Sequence, residues 1–158
     1  MANLFLASEI LEMNVSEERN GAAFYTALSE SAESGILREA AADIAKQEKA
    51  HEIRFARLLD EVEDREPEES YPGEFEAYIN SLMRNKMFSD EDAARTMAQK
   101  SSDVDAVKFA LKTEQATLNL LNELKKHVEG RELEVIDLTI EEEEEHVRQL
   151  NSLLEKLA

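Results

Sequence analysis

Along four stretches of the chain, apolar side chains recur at alternating steps of three and four residues, the repeat that turns one face of an α-helix toward a core. In the first stretch the inward positions are Ala7, Leu11, Asn14, Glu18, Gly21, Tyr25, Leu28 and Ala32. They predict a helix A over about 7–32 that stops near Gly35. In the second they are Leu37, Ala41, Ile44, Glu48, His51, Phe55, Leu58 and Val62, predicting helix B over about 36–63. Helix C, about 103–128, starts from Asp103 as N-cap and turns Val104, Val107, Leu111, Glu114, Leu118 and Leu121 inward. Gly130 supplies its stop, and helix D, about 132–157, follows with Ile136, Ile140, Glu143, Val147, Leu150, Leu154 and Leu157 on one stripe.

Between B and C, residues 64–102 break the pattern. Pro67, Pro72 and Gly73 stand among acidic side chains and cannot continue helix B. Phe75, Tyr78, Ile79, Leu82 and Met83 mark a short helix, and Ser89-Asp90-Glu91-Asp92 reads as the capped start of another that reaches Gln99 or Lys100. A partly helical crossover of this length lets helix C run parallel to helix B. Glycine (4) and proline (2) are scarce and hydrophobic residues make up 42% of 158, so the expectation is one all-α domain spanning 1–158.

A net charge of -18 changes which partners are plausible. It repels a phosphate backbone, and no cluster of Lys or Arg offsets it, so nucleic acid and anionic membrane are not expected partners. Cysteine is absent, which excludes disulfides, thiolate zinc sites, cysteine catalysis and iron–sulfur centres held by the chain itself. The Leu4-Phe5-Leu6 run is too short for a signal-peptide core, and no apolar stretch approaches the length of a membrane span, so a cytoplasmic location is expected.

The stripes contain residues that an apolar core rejects. A charged group there costs several kcal/mol, on the order of a lost buried ion pair, unless it is paired or bound to metal. Glu48 with His51 and Glu143 with His146 each form a Glu-x-x-His step, which places both side chains on one helix face. Each pair follows an inward glutamate, Glu18 by 30 residues and Glu114 by 29. Glu, Glu-x-x-His, Glu, Glu-x-x-His from four helices is the ligand set of a ferritin-like di-iron site.

Blander readings exist for each residue. Glutamate fills roughly a sixth of the chain, so a lone Glu-x-x-His is weak; two of only three histidines matching by chance would happen about one time in thirty. His127 closes helix C and reads as a cation favoured by the helix dipole. In the run Glu141 to Glu145, four members read as a solvated face. Glu143 is preferred over Glu142 because it shares a stripe with Ile136, Ile140, Val147 and Leu150, and Glu18 over Glu17 because it aligns with Leu11 and Tyr25. Tyr25, two turns beyond Glu18, is either a core aromatic or a hydroxyl donor to a metal-bound carboxylate or oxygen, and Asn14 is a further candidate for such support. Met87 and Met97 read as packing residues.

Carboxylate oxygens with one imidazole per metal suit two iron ions, with manganese or another divalent metal as alternatives, and two divalent ions cancel the charge of four glutamates. Glu48 and Glu143 are placed to bridge the ions, Glu18 and Glu114 to cap one each, and His51 and His146 to complete the set. The chain resembles the rubrerythrin-type members of the ferritin-like superfamily, on Glu18 with Tyr25 in Glu18-Arg19-Asn20-Gly21-Ala22-Ala23-Phe24-Tyr25, on Gln47-Glu48-Lys49-Ala50-His51, on Glu114 and on Glu143-x-x-His146. The resemblance implies a peroxide-reducing or ferroxidase-like oxidoreductase, a dimer or larger, acting against oxidative stress on hydrogen peroxide or dioxygen. Two departures matter. Thr117 stands where rubrerythrins typically carry a further glutamate, and no cysteine is present for a rubredoxin centre, so electrons are expected from a separate donor protein. The six-ligand set also resembles that of bacterioferritins, but no short fifth helix follows helix D, which favours a homodimer over a storage shell. An iron-binding storage subunit is the competing expectation, and a non-catalytic helical module with a degenerate site is disfavoured because all six residues are intact.

Overall fold

The computed structural model describes residues 4–62, 71–83 and 87–158. Its helices are α1 (Leu4–Ser31), α2 (Gly35–Glu61), α3 (Glu74–Met83), α4 (Glu91–Lys100), α5 (Asp103–Leu124) and α6 (Arg131–Leu157), with a 3-10 turn at Lys125–His127 and no strand among the described residues. Helices A to D are thus α1, α2, α5 and α6. The crossover's predicted pieces at 63–70 and 84–86, with the side chains of Phe75, Ile79, Leu82 and Met83, lie outside the described residues.

The direction of each helix follows from what meets at the two ends of the bundle. One apolar cluster joins the end of α1 (Tyr25, Leu28), the start of α2 (Leu37, Ala41, Ile44), the start of α5 (Ala106, Val107, Ala110) and the end of α6 (Leu150, Leu153). The other joins the start of α1 (Ala7, Ile10, Leu11), the end of α2 (Phe55, Leu58), the end of α5 (Leu118, Leu121, Leu124) and the start of α6 (Ile136, Ile140). So α1 and α6 run one way and α2 and α5 the other. Parallel α2 and α5 are the arrangement expected of a ferritin-like four-helix bundle with one long crossover.

Between the two clusters lies a buried polar layer of Glu18, Glu48, His51, Glu114, Glu143 and His146, bordered by Thr113, Thr117 and Thr139. The crossover returns to its own bundle. Ala94 and Ala98 of α4 are buried within the first cluster, where Phe88 packs on Phe24 and Phe109 at ring separations of 5.6 and 5.2 Å. At the opposite end, the Tyr78 hydroxyl of α3 donates to Glu123 of α5. No helix among the described residues is long and apolar enough to cross a membrane.

Several helix ends differ from the sequence expectation, each for a local reason. Helix A stops at Ser31, and Gly35 opens α2 instead of closing α1, because the Ser34 side chain accepts from the Leu37 amide as its N-cap. Ser102, not Asp103, caps α5. Asp103 instead accepts the backbone N–H groups of Glu33 and Ser34 at 3.0 and 2.7 Å, fastening the α1–α2 turn to the start of α5. Helix C ends at Leu124, where the chain tightens into the 3-10 turn, and Gly130, at φ +64, sits before α6. Asp90 caps α4 as expected, accepting from Ala93 at 2.8 Å. Replacing Asp103 with Ala removes two charge-assisted hydrogen bonds from a partly exposed site. We expect a loss of about 1–2 kcal/mol, read as a lower urea midpoint at unchanged slope.

Candidate metal centre

All six sequence-predicted ligand residues reach the centre of the bundle, where they are 0–3% exposed. Their ligand atoms fall into two groups, each within 4.8 Å: Glu18, Glu48, His51 and Glu143 in one, Glu48, Glu114, Glu143 and His146 in the other. Glu48 and Glu143 belong to both groups. Glu18 with His51, and Glu114 with His146, belong to one each. Glu17 is also buried, yet belongs to neither group, so the choice between adjacent acids is made by helix phase.

The electrostatics of this cluster are those of excess negative charge in a dry space. Burial pushes the carboxyl groups of Glu18, Glu48 and Glu114 well above their ordinary 4.5, and the charge of Glu143 adds to the push on each. Glu143 goes the other way. Burial opposes its charge, but the hydrogen bond with His146 and the positive charge of the nearby His51 ring outweigh that and hold its carboxyl below the usual range. Burial would likewise lower both imidazoles; the carboxylates around them reverse the shift and raise His51 and His146 above 6.5. The ring planes of the two histidines face each other at 5.9 Å.

These groups are close without satisfying one another. His51 Nδ1 lies 2.8 Å from Glu143 Oε1 and 3.3 Å from Glu18 Oε2 but is misaligned for a hydrogen bond to either. Both oxygens of Glu18, one of Glu48 and one of Glu143 also lack a hydrogen-bond partner. Buried oxygens and an imidazole nitrogen left over in this way carry a large cost unless something else binds them. A pair of divalent cations fits: the leftover atoms are hard oxygen and imidazole donors, they converge, and their carboxylates carry the compensating charge.

The outward nitrogens of the histidines are held by residues the stripe pattern did not single out. His51 Nε2 donates to Glu142 Oε2 at 2.7 Å, and Arg54 Nη1 donates to the same oxygen at 2.8 Å and to Thr139 Oγ1 at 2.9 Å. His146 Nε2 donates to Gln47 Oε1 at 2.9 Å. Both rings thus carry a proton on Nε2 and turn Nδ1 to the cluster; loss of the Nδ1 proton would leave the tautomer a metal requires. Glu142 is therefore not part of a solvated face; its side chain is 33% exposed and engaged on both oxygens. Glu141, Glu144 and Glu145 do lie on the exposed face. A positional signal existed: Gln47 and Glu142 each immediately precede a shared glutamate and reach the histidine of the opposite helix.

Tyr25 takes the second of its two readings. Its hydroxyl donates to Glu114 Oε1, across the bundle from the Glu18 on its own helix. Burial, then the Glu114 charge, raises its pKa well above 10, so the proton stays on the hydroxyl. Asn14 makes no hydrogen bond to a ligand residue; its Nδ2 donates to the Ile10 carbonyl at 3.0 Å. His127 sits in the 3-10 turn after α5, away from the cluster. Burial lowers its pKa below 6.5, which disfavours the charged form, and its ring meets Tyr78 edge-on at 6.2 Å.

Two outcomes follow. In metal-free protein the raised carboxyl groups hold protons that the unfolded chain releases above about pH 4.5, and the raised imidazoles do the same above 6.5. Their stabilisation is complete below those values and is lost as pH rises. The melting temperature of metal-free protein should fall between pH 5 and 8.5, and divalent metal should raise it and flatten the slope; equal melting with and without metal would overturn the fit. Glu142→Ala should weaken metal binding about 10–100-fold, measured by competition with a chromophoric chelator.

Residues 9–104 match the family model described as Rubrerythrin. That span holds Glu18, Tyr25, Glu48 and His51, while Glu114, Glu143 and His146 lie beyond it and join the site through the fold. No curated protein and no solved structure matches the chain. The match covers more than half of the sequence, and the helices it spans run in the expected directions: the chain belongs to the rubrerythrin family.

Proposed function

We propose that the protein is a di-iron oxidoreductase that reduces hydrogen peroxide. The observation that carries this reading is the pair of four-residue ligand groups sharing Glu48 and Glu143, a layout that would suit two cations side by side. Two adjacent ferrous ions supply two electrons together, the number that converts one peroxide and two protons into two waters. Glu18 with His51 and Glu114 with His146 would hold one ion each, and Glu48 and Glu143 both.

The protein's own groups then perform four tasks. Nε2–H contacts to Glu142 and Gln47 orient the imidazoles. The apolar clusters above and below exclude bulk water, which strengthens every charge interaction in the layer. Tyr25 keeps a proton at Oη beside Glu114 and fixes that carboxylate's position. Glu142 and Arg54, about a third and a quarter exposed, link the His51 edge to the surface. A separate electron-donor protein would supply the reducing equivalents for turnover, and a homodimer in the cytoplasm is the form we propose.

One feature favours a second reading, oxidation of ferrous iron by dioxygen for sequestration. Thr117, buried beside the layer, supplies no seventh carboxylate. Anaerobic protein loaded with ferrous iron should bind about two per chain and be oxidised faster by stoichiometric peroxide than by dioxygen, followed by stopped-flow absorbance. Faster oxidation by dioxygen, in a large assembly storing many irons per chain, would favour sequestration. No stoichiometric iron would end both readings.

A further inference from the structure

Gly21 lies inside the 28 residues of α1, one turn after Glu18, with an ordinary helical backbone; positive φ among the glycines occurs only at Gly73 and Gly130. Nothing in its conformation calls for glycine, which is a poor helix former at an interior position. The reason is space. A Cβ built on Gly21 would stand 2.6 Å from Glu48 Oε2, 3.5 Å from its Cδ and 3.8 Å from its Cγ, and would meet no backbone atom among its nearest contacts. The chain's other three glycines have nothing within 4 Å of such a Cβ.

Resting on the paired-metal reading above, we propose that Gly21 is a positioning residue: the hydrogen in place of its side chain leaves the notch in α1 that seats the Glu48 carboxylate where it joins both ligand groups. With alanine there, only the tip of Glu48 has to yield, by close to 1 Å to reach ordinary contact. Displaced from α1, the carboxylate moves toward the other carboxylates of the layer and no longer serves two positions at once. Misplacement by about 1 Å at a site of this kind costs on the order of 100-fold. The helix itself gains, because alanine replaces glycine.

The test uses cobalt(II), which is stable in air and has a geometry-sensitive visible spectrum, titrated calorimetrically into full-length protein. Wild type should take two ions per chain. Gly21→Ala should take the first and bind the second about 100-fold more weakly, with an altered cobalt spectrum. Its metal-free form should melt no lower than wild type and up to about 3 °C higher. Gly35→Ala, the same change where the new methyl meets nothing, should leave both ions unchanged. In a Glu48→Gln background, Gly21→Ala should cause no further loss, since the carboxylate it displaces is already gone.

Two unchanged binding constants in Gly21→Ala would overturn the inference and leave the paired-metal reading standing. Unfolding of metal-free Gly21→Ala would overturn it too, because a clash confined to a side-chain tip does not unfold a bundle. Failure of wild type to bind two ions would instead remove the reading on which the inference rests.

Discussion

Four carboxylates and two imidazoles in the middle of a helical bundle are the constraint to which the rest of this structure answers. Left to itself, that layer cannot be neutral, solvated and fully hydrogen-bonded at once, and the metal-free protein compromises. Glu143 keeps its charge between two imidazolium rings, while the neighbouring carboxyls are driven toward protonation. Such a layer survives only if the apolar clusters at the two ends supply the stability it gives up, and both are built from large, fully buried side chains such as Phe24, Leu28, Phe55 and Leu121. The site and the fold are therefore in opposition until cations enter, which is why metal binding and stability are expected to be one equilibrium.

The connections can be understood from the same requirement. α5 runs parallel to α2, so the chain must travel the length of the bundle between them, which the long crossover permits. The crossover adds to the core on its way: Phe88, Ala94 and Ala98 cover the end of the bundle where α1 turns into α2. Asp103 then fastens that turn to the start of α5 through two backbone amides. A slip of one residue there would rotate Glu114 by about 100° and take it out of the layer.

The helical periodicity and the spacing of the two Glu-x-x-His steps were enough to read the architecture and to pick the six residues that converge in the buried cluster from 28 glutamates and three histidines. Periodicity reports which face a residue is on, and face was the whole question for Glu18 against Glu17. It does not report reach. Glu142 lies off the apolar stripe, yet its side chain bends back under the histidine of a helix 91 residues away in sequence. The role of Gly21 was invisible for the complementary reason, since a missing atom leaves no pattern until the opposing carboxylate is placed. Helix ends were misread where a side-chain cap, Ser34 or Ser102, decided the boundary over the glycine or aspartate beside it.

The two halves of the bundle repeat their ligands but not their supports. Each residue preceding a shared glutamate holds the histidine of the opposite half, a reciprocal exchange that ties α2 to α6. On one side the support is the Glu142 carboxylate, itself held by Arg54; on the other it is the neutral amide of Gln47. A carboxylate facing an imidazole N–H makes the ring a stronger donor than an amide oxygen does. The Tyr25 hydroxyl meanwhile draws density from Glu114, on the side already lacking the carboxylate support. Both differences act in one direction, leaving the Glu18–His51 group the more electron-rich and the Glu114–His146 group the poorer. Equal ligand counts thus produce unequal positions, an asymmetry that lies wholly in residues next to the ligands.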